Sequence, residues 1–395
     1  MTCLKQAILK SGKDQSLRRY HPWVFSGAIK KMIGNPKDGD IVKVFDNKGE
    51  FLAMGHYQVG SIAVRVLSFE DKEPDREFWY NKIAGSFKYR QIIGLVHSAS
   101  TNVYRIVNAE GDGMPGLIAD YYDGTLVIQF HSVGMYLIRD MLFDIFSEII
   151  GGKLLSIYDK SQKTLPYKAS VEPLDGWIFG KESMNPVKEY GNIFKVDCES
   201  GQKTGFYIDQ RENRKLVQTY STERKVLNMF GYSGGFSVYA LRGDANLVHT
   251  VDSSASAIKL AETNVELNFP GSSCHKTFTA DAFKYLDESN NKYDLIILDP
   301  PAFAKHQNVL HQALQGYKRL NAKAINSIRP GGFLFTFSCS QVVSRENFRK
   351  SVFVAAANTG RSVRILHNLS QPADHPVSIY HPEGEYLKGL VLYVD

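Results

Sequence analysis

Lys225-Val-Leu-Asn-Met-Phe-Gly-Tyr-Ser-Gly-Gly235 decides the fold of this chain. An apolar strand runs into a glycine turn, and the turn opens a helix that continues through Leu241. Glycines at that point let the backbone approach a ligand at the carboxyl end of a parallel strand. The spacing here, Gly231-x-x-Gly234-Gly235, lacks the GxGxxG arrangement that a dinucleotide pyrophosphate prefers.

Working outward, strands and helices alternate from Gly191 to the end of the chain, as in a doubly wound, Rossmann-like α/β sheet. Val248-His-Thr-Val-Asp252 is a second strand that ends on an acid. Ser254 can cap the next helix, whose Ile258, Ala261 and Val265 share one face. A third strand runs into Asp281, and Tyr293-Asp-Leu-Ile-Ile-Leu-Asp299 is a fourth. A long helix near Leu310 to Ile328, a Pro330-Gly331-Gly332 turn and a fifth strand into Cys339 follow. Ser362 to Leu366 and Leu387 to Val394 are the last β-like runs. Acids at successive strand ends around such a glycine loop fit S-adenosylmethionine (SAM). Its methionine moiety would pass the loop at Phe230, Gly231 and Gly234, Asp252 would accept from the ribose hydroxyls, and Asp281 would lie near the adenine.

Cys339 ends the run Phe333-Leu-Phe-Thr-Phe-Ser-Cys-Ser340, and Asp299-Pro300-Pro301 ends the strand before it. Carbon 5 of cytosine is too weak a nucleophile to attack a sulfonium methyl group unaided. A thiolate that first adds at carbon 6 pushes electron density to carbon 5. Cys339 is the cysteine expected at a strand end of the sheet and is the candidate nucleophile, although a free cysteine is also a common buried residue. Asp299 could hydrogen-bond the exocyclic amine or a protonated N3 of cytosine. Pro300 and Pro301 stiffen that loop, and Phe303 could stack on a base flipped out of its helix. His375, Glu383 and Glu385 are candidate bases for the carbon 5 proton, in a Pro- and Gly-containing stretch that also reads as a turn before the last strand.

The N-terminal half reads differently. From Leu4 to Phe69, short β-like runs such as Ile41 to Phe45, Phe51 to Met54 and Ile62 to Leu67 fit a small barrel. The charged stretch Glu70 to Arg76 reads as a linker. A central α+β block follows, with helices over Phe78 to Gly94 and around Tyr136 to Ile150 and strands near Leu126 to Phe130 and Leu154 to Tyr158. The expected domains are thus 1–70, 71–190 and 191–395. At 395 residues the chain exceeds the usual span of one core.

The net charge of +6 is modest, but its distribution is uneven. Residues 1–31 carry seven Lys/Arg against the single acid Asp14, interleaved with Tyr20, His21, Trp23 and Phe25. Phosphate attraction plus ring stacking is how proteins hold RNA, which makes Arg19 and Trp23 candidate substrate contacts; a solvated surface with a few core aromatics is the plainer reading. The four cysteines, Cys3, Cys198, Cys274 and Cys339, show no CxxC or Cys/His spacing, so neither a structural metal nor a disulfide framework is expected. No apolar run is long enough to span a membrane and no signal peptide is evident, so a cytoplasmic setting is expected.

Over nearly its whole length the chain resembles the RlmI family, bacterial SAM-dependent methyltransferases that make 5-methylcytosine in large-subunit ribosomal RNA. The resemblance rests on Arg19-Tyr-His-Pro-Trp-Val-Phe25, Gly113-Met-Pro-Gly-Leu-Ile-Ala-Asp120, Gln202-Lys-Thr-Gly-Phe-Tyr-Ile-Asp-Gln-Arg211, Asn228 to Phe236, Asp299-Pro-Pro-Ala-Phe303, Phe337-Ser-Cys-Ser340 and Pro382 to Gly389. It implies an N-terminal PUA domain, a central α+β domain and a C-terminal Rossmann-like methyltransferase. It further implies that Cys339 attacks the base and that the Lys203 to Arg211 segment, with Phe206 and Gln210, helps close the cofactor pocket. Similar enzymes acting on guanine N7 carry Asn where Cys339 stands, because a nitrogen lone pair needs no covalent activation. Ala302 departs from the lysine that is common after the two prolines.

The expected partner is ribosomal RNA, in the large subunit or its assembly intermediate; a homodimer is possible, and the sequence does not decide the oligomeric state. Methylation of another base, at uracil C5 or at a nitrogen, is the alternative chemistry. An RNA-binding ribosome-assembly factor is the alternative class.

Overall fold

The structure is a computed structural model that describes residues 5–166, 171–180, 184–304 and 306–395; Cys3 lies outside the described residues. The chain divides into two compact units. The first takes Met1–Val187, Val196–Phe206 and Ala373–Gly384; the second takes Lys188–Lys195, Tyr207–Pro372 and Glu385–Asp395.

In the first unit, β1 (Gln6–Leu9), the single-turn helix α1 (Gln15–Arg18), β2 (Trp23–Phe25), β3 (Ile29–Ile33), β4 (Ile41–Phe45), β5 (Phe51–Tyr57) and β6 (Ile62–Ser68) come first. The six strands form one sheet in the order β2-β6-β5-β4-β1-β3. Alternation along β4 buries Val42 and Val44 against Ala7, Leu9, Val64 and Val66. A second sheet follows the helix α2 (Arg76–Ile92). It is built from β7 (Val103–Asn108), β8 (Leu117–Tyr122), β9 (Thr125–Phe130), β10 (Ser156–Asp159) and β11 (Gly176–Gly180), in the order β11-β10-β9-β8-β7. The charged stretch before α2 does local work, since Asp75 caps the helix by accepting from Phe78 N at 2.8 Å.

The helix expected around Tyr136 to Ile150 is two helices, α3 (Val133–Leu137) and α4 (Arg139–Ile150), parted at Ile138. Gly134 in α3 lies against the buried His56 ring: a Cβ there would sit 2.2 Å from His56 Cγ. Buried guanidinium forks tie the second sheet together, Arg105 onto Asp120 at 2.7 and 2.9 Å and Arg90 onto Asp112 at 2.5 and 2.8 Å. Asp374, from the far end of the sequence, accepts from Arg105 N at 3.0 Å, and its carbonyl accepts from Arg90 at 2.7 Å. These bonds fix Ala373–Gly384 within the first unit.

The chain then passes through the hairpin β12 (Val187–Glu189) and β13 (Asn192–Phe194). In the second unit follow α5 (Arg211–Thr219), β14 (Lys225–Met229), α6 (Gly235–Arg242), β15 (Leu247–Asp252), α7 (Ala255–Asn268), β16 (His275–Thr279) and α8 (Ala282–Asp287). β17 (Tyr293–Leu298), α9 (Leu310–Ser327), β18 (Ile328–Ser338), α10 (Arg345–Thr359), β19 (Val363–Leu369) and β20 (Lys388–Val394) complete it. The seven-stranded sheet runs β16-β15-β14-β17-β18-β20-β19. β16 to β18 pair in parallel, whereas β20 is antiparallel to both its neighbours. Such a sheet is covered on both faces, which is why β17 reads as the unbroken apolar run Leu295 to Leu298, all buried.

The turn expected at Pro330-Gly331-Gly332 lies inside β18. Tyr293 pairs with Ile328 and Leu295 with Phe333, so the extra residues are taken up as an irregularity in the ladder, with Gly331 at φ 78°. Strand pairing thus overrides the local turn signal. Glu189 is a buried hub on the same unit: Arg214 forks onto it at 2.8 and 2.7 Å and the Tyr239 hydroxyl donates to it at 3.0 Å.

Burial pushes the imidazoles of His56 and His275 down to about 4. The unfolded chain takes up these protons below its ordinary histidine value of about 6.5, whereas the folded state refuses them until about 4. Their contribution is therefore complete above pH 6.5 and lost as pH falls towards 4, by about 3 kcal/mol for His56. The urea midpoint should fall over that window, most steeply below pH 6. A His56→Leu variant should show a shallower fall, and an equal slope in both proteins would contradict this assignment.

Candidate active site

The strand order reverses between β14 and β17, and ligands of open α/β sheets bind outside the carboxyl ends of the strands at such a point. The loop leaving β14 is held in an unusual shape. Phe230 and Tyr232, neither a glycine, have φ of 59° and 43°, and Gly234 lies in the left-handed region at 72°. Backbone of this kind costs of order 1–3 kcal/mol per residue and persists where its surroundings over-determine it. Here Gly231 N donates to Val251 O at 3.0 Å, and Asn264 Nδ2 donates to Ser233 O at 2.9 Å. Asp252, at the end of β15, accepts from Tyr232 N at 3.0 Å and from Ser254 N at 2.9 Å. Gly231 rests on β15 so closely that a Cβ would come 2.3 Å from Thr250 Cγ2.

This donor set fits SAM. A carboxylate has more acceptor sites than the two amides use, so the half-buried Asp252 retains capacity for a ribose diol. The glycine loop provides backbone with no side chain in the way. Asp281 is exposed and caps α8, accepting from Lys284 N at 3.0 Å, which leaves its second oxygen for other donors.

On the other side of β14, Met229 pairs with Leu298, so the glycine loop and Asp299 leave adjacent strand ends. Leu298 in turn pairs with Thr336, which brings Cys339 up beside the Asp-Pro-Pro loop. The half-buried Cys339 Sγ lies 3.8 Å from the Pro300 carbonyl, to which it can donate. Flanking serines are tied down: Ser338 Oγ donates to the Tyr317 hydroxyl at 2.9 Å, and Ser340 Oγ to Ala304 O at 2.6 Å. The Phe303 ring packs on Tyr317 with centroids 4.6 Å apart. Lys388, at the start of β20, donates to Ser340 O at 2.6 Å and Val343 O at 2.8 Å.

Phenols complete the surroundings. Burial, then the negative groups Asp299, Asp209 and Cys339, push the Tyr207 hydroxyl far above its ordinary range, and burial brings Tyr317 up to about 12. Both stay protonated at neutral pH. Tyr207 also meets the glycine loop, its ring edge-on to Tyr232 at 5.3 Å.

The second unit therefore gathers Phe230, Gly231, Gly234, Asp252, Asp299, Pro300 and Cys339 at neighbouring strand ends. Gln210 is buried and accepts from Asn213 at 2.6 Å, and Arg211 is buried 3.8 Å from Glu189. Lys203 and Phe206 belong to the first unit, where Lys203 O accepts from Gln129 at 3.4 Å and Phe206 is buried. Arg19 is exposed there, while Trp23 donates to Glu110 at 2.9 Å and packs on His381 at 4.4 Å. His375, buried beside Asp374 at 3.1 Å, and Glu383, 3.3 Å from His21, also lie in the first unit. Glu385 lies in the second, paired with Arg345 at 3.0 Å. Sequence reasoning did not single out Tyr317 or Lys388. Both sit in apolar helix or strand patterns, and only their partners on other elements reveal them.

A sheet of this order, with a strained glycine loop and strand-end acids at its reversal, is that of a SAM-dependent methyltransferase. Accordingly, the family model for S-adenosylmethionine-dependent methyltransferases matches residues 161–381, and that for PUA-like domains matches residues 7–69. Similar curated proteins are named ribosomal RNA large subunit methyltransferase I. The one from Alteromonas mediterranea is 38% identical over 98% of both chains. That from Aeromonas hydrophila is 40% identical over 97% of this chain and 98% of its own, and that from Escherichia coli O127:H6 is 36% identical over 98% of both. The chain belongs to the ribosomal RNA large subunit methyltransferase I family. Among solved structures, a SAM-dependent methyltransferase from Streptococcus mutans shares the fold with a TM-score of 0.85 at 21% identity, over 98% of this chain and 100% of that one. A methyltransferase complexed with SAH does so with a TM-score of 0.86 at 22% identity and the same coverage. Among the described residues, no helix is long and apolar enough to cross a membrane, and no cluster of His, Cys, Asp and Glu could hold a metal.

Gly231→Ala should weaken SAM binding at least tenfold by titration calorimetry, because the new Cβ drives the loop off Thr250. Thr250→Ser removes the methyl group in the way and keeps the hydroxyl bonded to Ser237, so the double variant should recover much of the loss. Equal affinity in wild type and Gly231→Ala would contradict this account of the loop.

Proposed function

We propose that this enzyme methylates carbon 5 of a cytosine in large-subunit ribosomal RNA, with Cys339 as a covalent nucleophile. The observation that carries the reading is the placement of the Cys339 thiol 3.8 Å from the Pro300 carbonyl, beside the Asp299 turn, whose strand β17 lies between that of Cys339 and that of the glycine loop. A nitrogen acceptor would need no thiol there. The names of the relatives support ribosomal RNA as the substrate.

The chemistry then runs through this chain's own groups. The Cys339 thiolate forms a bond to carbon 6, and the electron pair of the 5,6 double bond moves towards carbon 5. SAM, when bound, would supply an electrophilic methyl group for carbon 5, its sulfur keeping the electrons of the broken sulfur–methyl bond and leaving as S-adenosylhomocysteine. A base then removes the carbon 5 proton, the double bond re-forms and the thiolate leaves. Asp299 accepts from a protonated N3 or from the exocyclic amine, and the amine contact favours cytosine over uracil, which has a carbonyl there. A cytosine must leave its helix to reach such a site.

Further parts of the same proposal are cofactor binding by Lys203, Phe206, Gln210, Arg211, Asp252 and Asp281, and RNA contacts by Arg19, Trp23, Pro300 and Phe303. Residues 1–70, 71–190 and 191–395 would act as the RNA-binding, central and methyltransferase domains. One of His375, Glu383 and Glu385 would serve as the base that removes the carbon 5 proton. A homodimer acting in the cytoplasm on large-subunit RNA or its assembly intermediate completes the reading.

Cys339→Ala should abolish tritium release from RNA labelled at cytosine carbon 5 while SAM binding stays within about twofold of wild type, since Cys339 removes nothing from the glycine loop. Undiminished release by that variant would overturn the proposal.

A further inference from the structure

Lys388 is a charged residue in an apolar place. It opens β20 opposite Ser338, within the run Lys388–Val394, and only 2% of it is exposed. Its ammonium donates to two carbonyls of one turn, Ser340 O at 2.6 Å and Val343 O at 2.8 Å. That turn follows directly on Cys339. Burying an ammonium costs several kcal/mol, and an apolar side chain of similar volume would often fill such a position at no loss of stability. A strand otherwise made of Gly, Leu, Val and Tyr thus keeps one cation bonded to the turn that follows Cys339.

We propose that Lys388 is a positioning residue for the nucleophile: its buried ammonium clamps the turn behind Cys339 and favours the thiolate over the thiol. The proposal rests on Cys339 being the nucleophile.

The charges around the pair support it. Burial pulls Lys388 down to about 8, while Glu385 and Cys339 hold it up and Arg345 opposes them. Interaction between two titrating groups is mutual, so a thiolate that favours the ammonium is favoured by it to the same extent. Arg345 is paired with Glu385 at 3.0 Å, and Cys339 is among the groups that act on the Lys388 ammonium. Glu346 and Arg349 line the same cleft of about 330 Å³ as Lys388. On the side of β17 and α9, Asp299 and Cys339 both act on the protonated Tyr207 and Tyr317, so these four groups face one another. A nearby cation stabilises a thiolate relative to its thiol. A free thiol, with a reference value of about 8.5, is only a few per cent ionised at pH 7.

The test is the rate at which iodoacetamide alkylates Cys339, followed by peptide mass spectrometry from pH 5.5 to 9.5 on the full chain. Lys388→Gln retains a donor for the turn carbonyls without the charge, and Lys388→Met removes both. Both variants should alkylate Cys339 about tenfold more slowly at pH 7, with the midpoint moved up, and methyl transfer should fall in parallel. Lys388→Arg should return part of the rate. Should Lys388→Met fail to fold, Lys388→Gln decides alone: a profile superimposable on wild type overturns the proposal. Alkylation reports the thiol itself, so this result is separate from the Cys339→Ala experiment, which tests the reading beneath it.

Discussion

The parallel pairing of β17 with β18, Leu298 opposite Thr336, is the constraint on which the rest of the site depends. It sets the Asp299-Pro300-Pro301 turn and Cys339 at the same height above the sheet, so that the thiol meets the Pro300 carbonyl. A one-residue slip would turn every side chain of β18 to the opposite face and carry Cys339 away from the turn. The register is protected on both sides. Buried apolar residues fill β17, and β20 pairs with β18 without a break from Gly332 opposite Val394 to Ser338 opposite Lys388.

Charge is arranged around that geometry in two clusters of different purpose, the first buried and the second partly so. Glu189 with Arg214 and Tyr239 holds α5 and α6 to the hairpin before them, and removing one partner would leave an ion stranded in the interior, a loss of about 3–5 kcal/mol. Asp299, Cys339, Tyr207, Tyr317 and Lys388 form the second, in which negative groups, phenols and one cation share a small space. The first is satisfied within itself. The second has a half-buried carboxylate and a half-buried thiol at strand ends, which is where a substrate can be met.

The sheet of the second unit was legible in the sequence because each strand and its cap are local. The apolar runs, the Ser254 cap and the glycine turn after Met229 all stand where the pattern puts them. Other features depended on contacts distant in sequence. Pro330-Gly331-Gly332 carries a strong turn signal, yet pairing with β17 and β20 draws it into β18. Gly134 stands within α3 where a side chain would meet His56, which lies on β5. The Ala373–Gly384 segment reads as a turn between two strands of one sheet, yet Arg90 and Arg105 hold Asp374, and His21 meets Glu383, in the other unit. Lys388 was invisible for the same reason: its partners are carbonyls, which no residue type announces.

Trapping of the covalent adduct tests the central claim most directly. A fluorine at carbon 5 of cytosine cannot leave as a proton does, so an enzyme that adds a thiol at carbon 6 stalls after methyl transfer. Incubating the protein with SAM and large-subunit RNA containing 5-fluorocytidine, then digesting and sequencing by mass spectrometry, should yield a methylated nucleotide joined to the peptide bearing Cys339. Methylation of unmodified RNA by the same preparation at another base or at a cytosine nitrogen, with no adduct on Cys339, would contradict it.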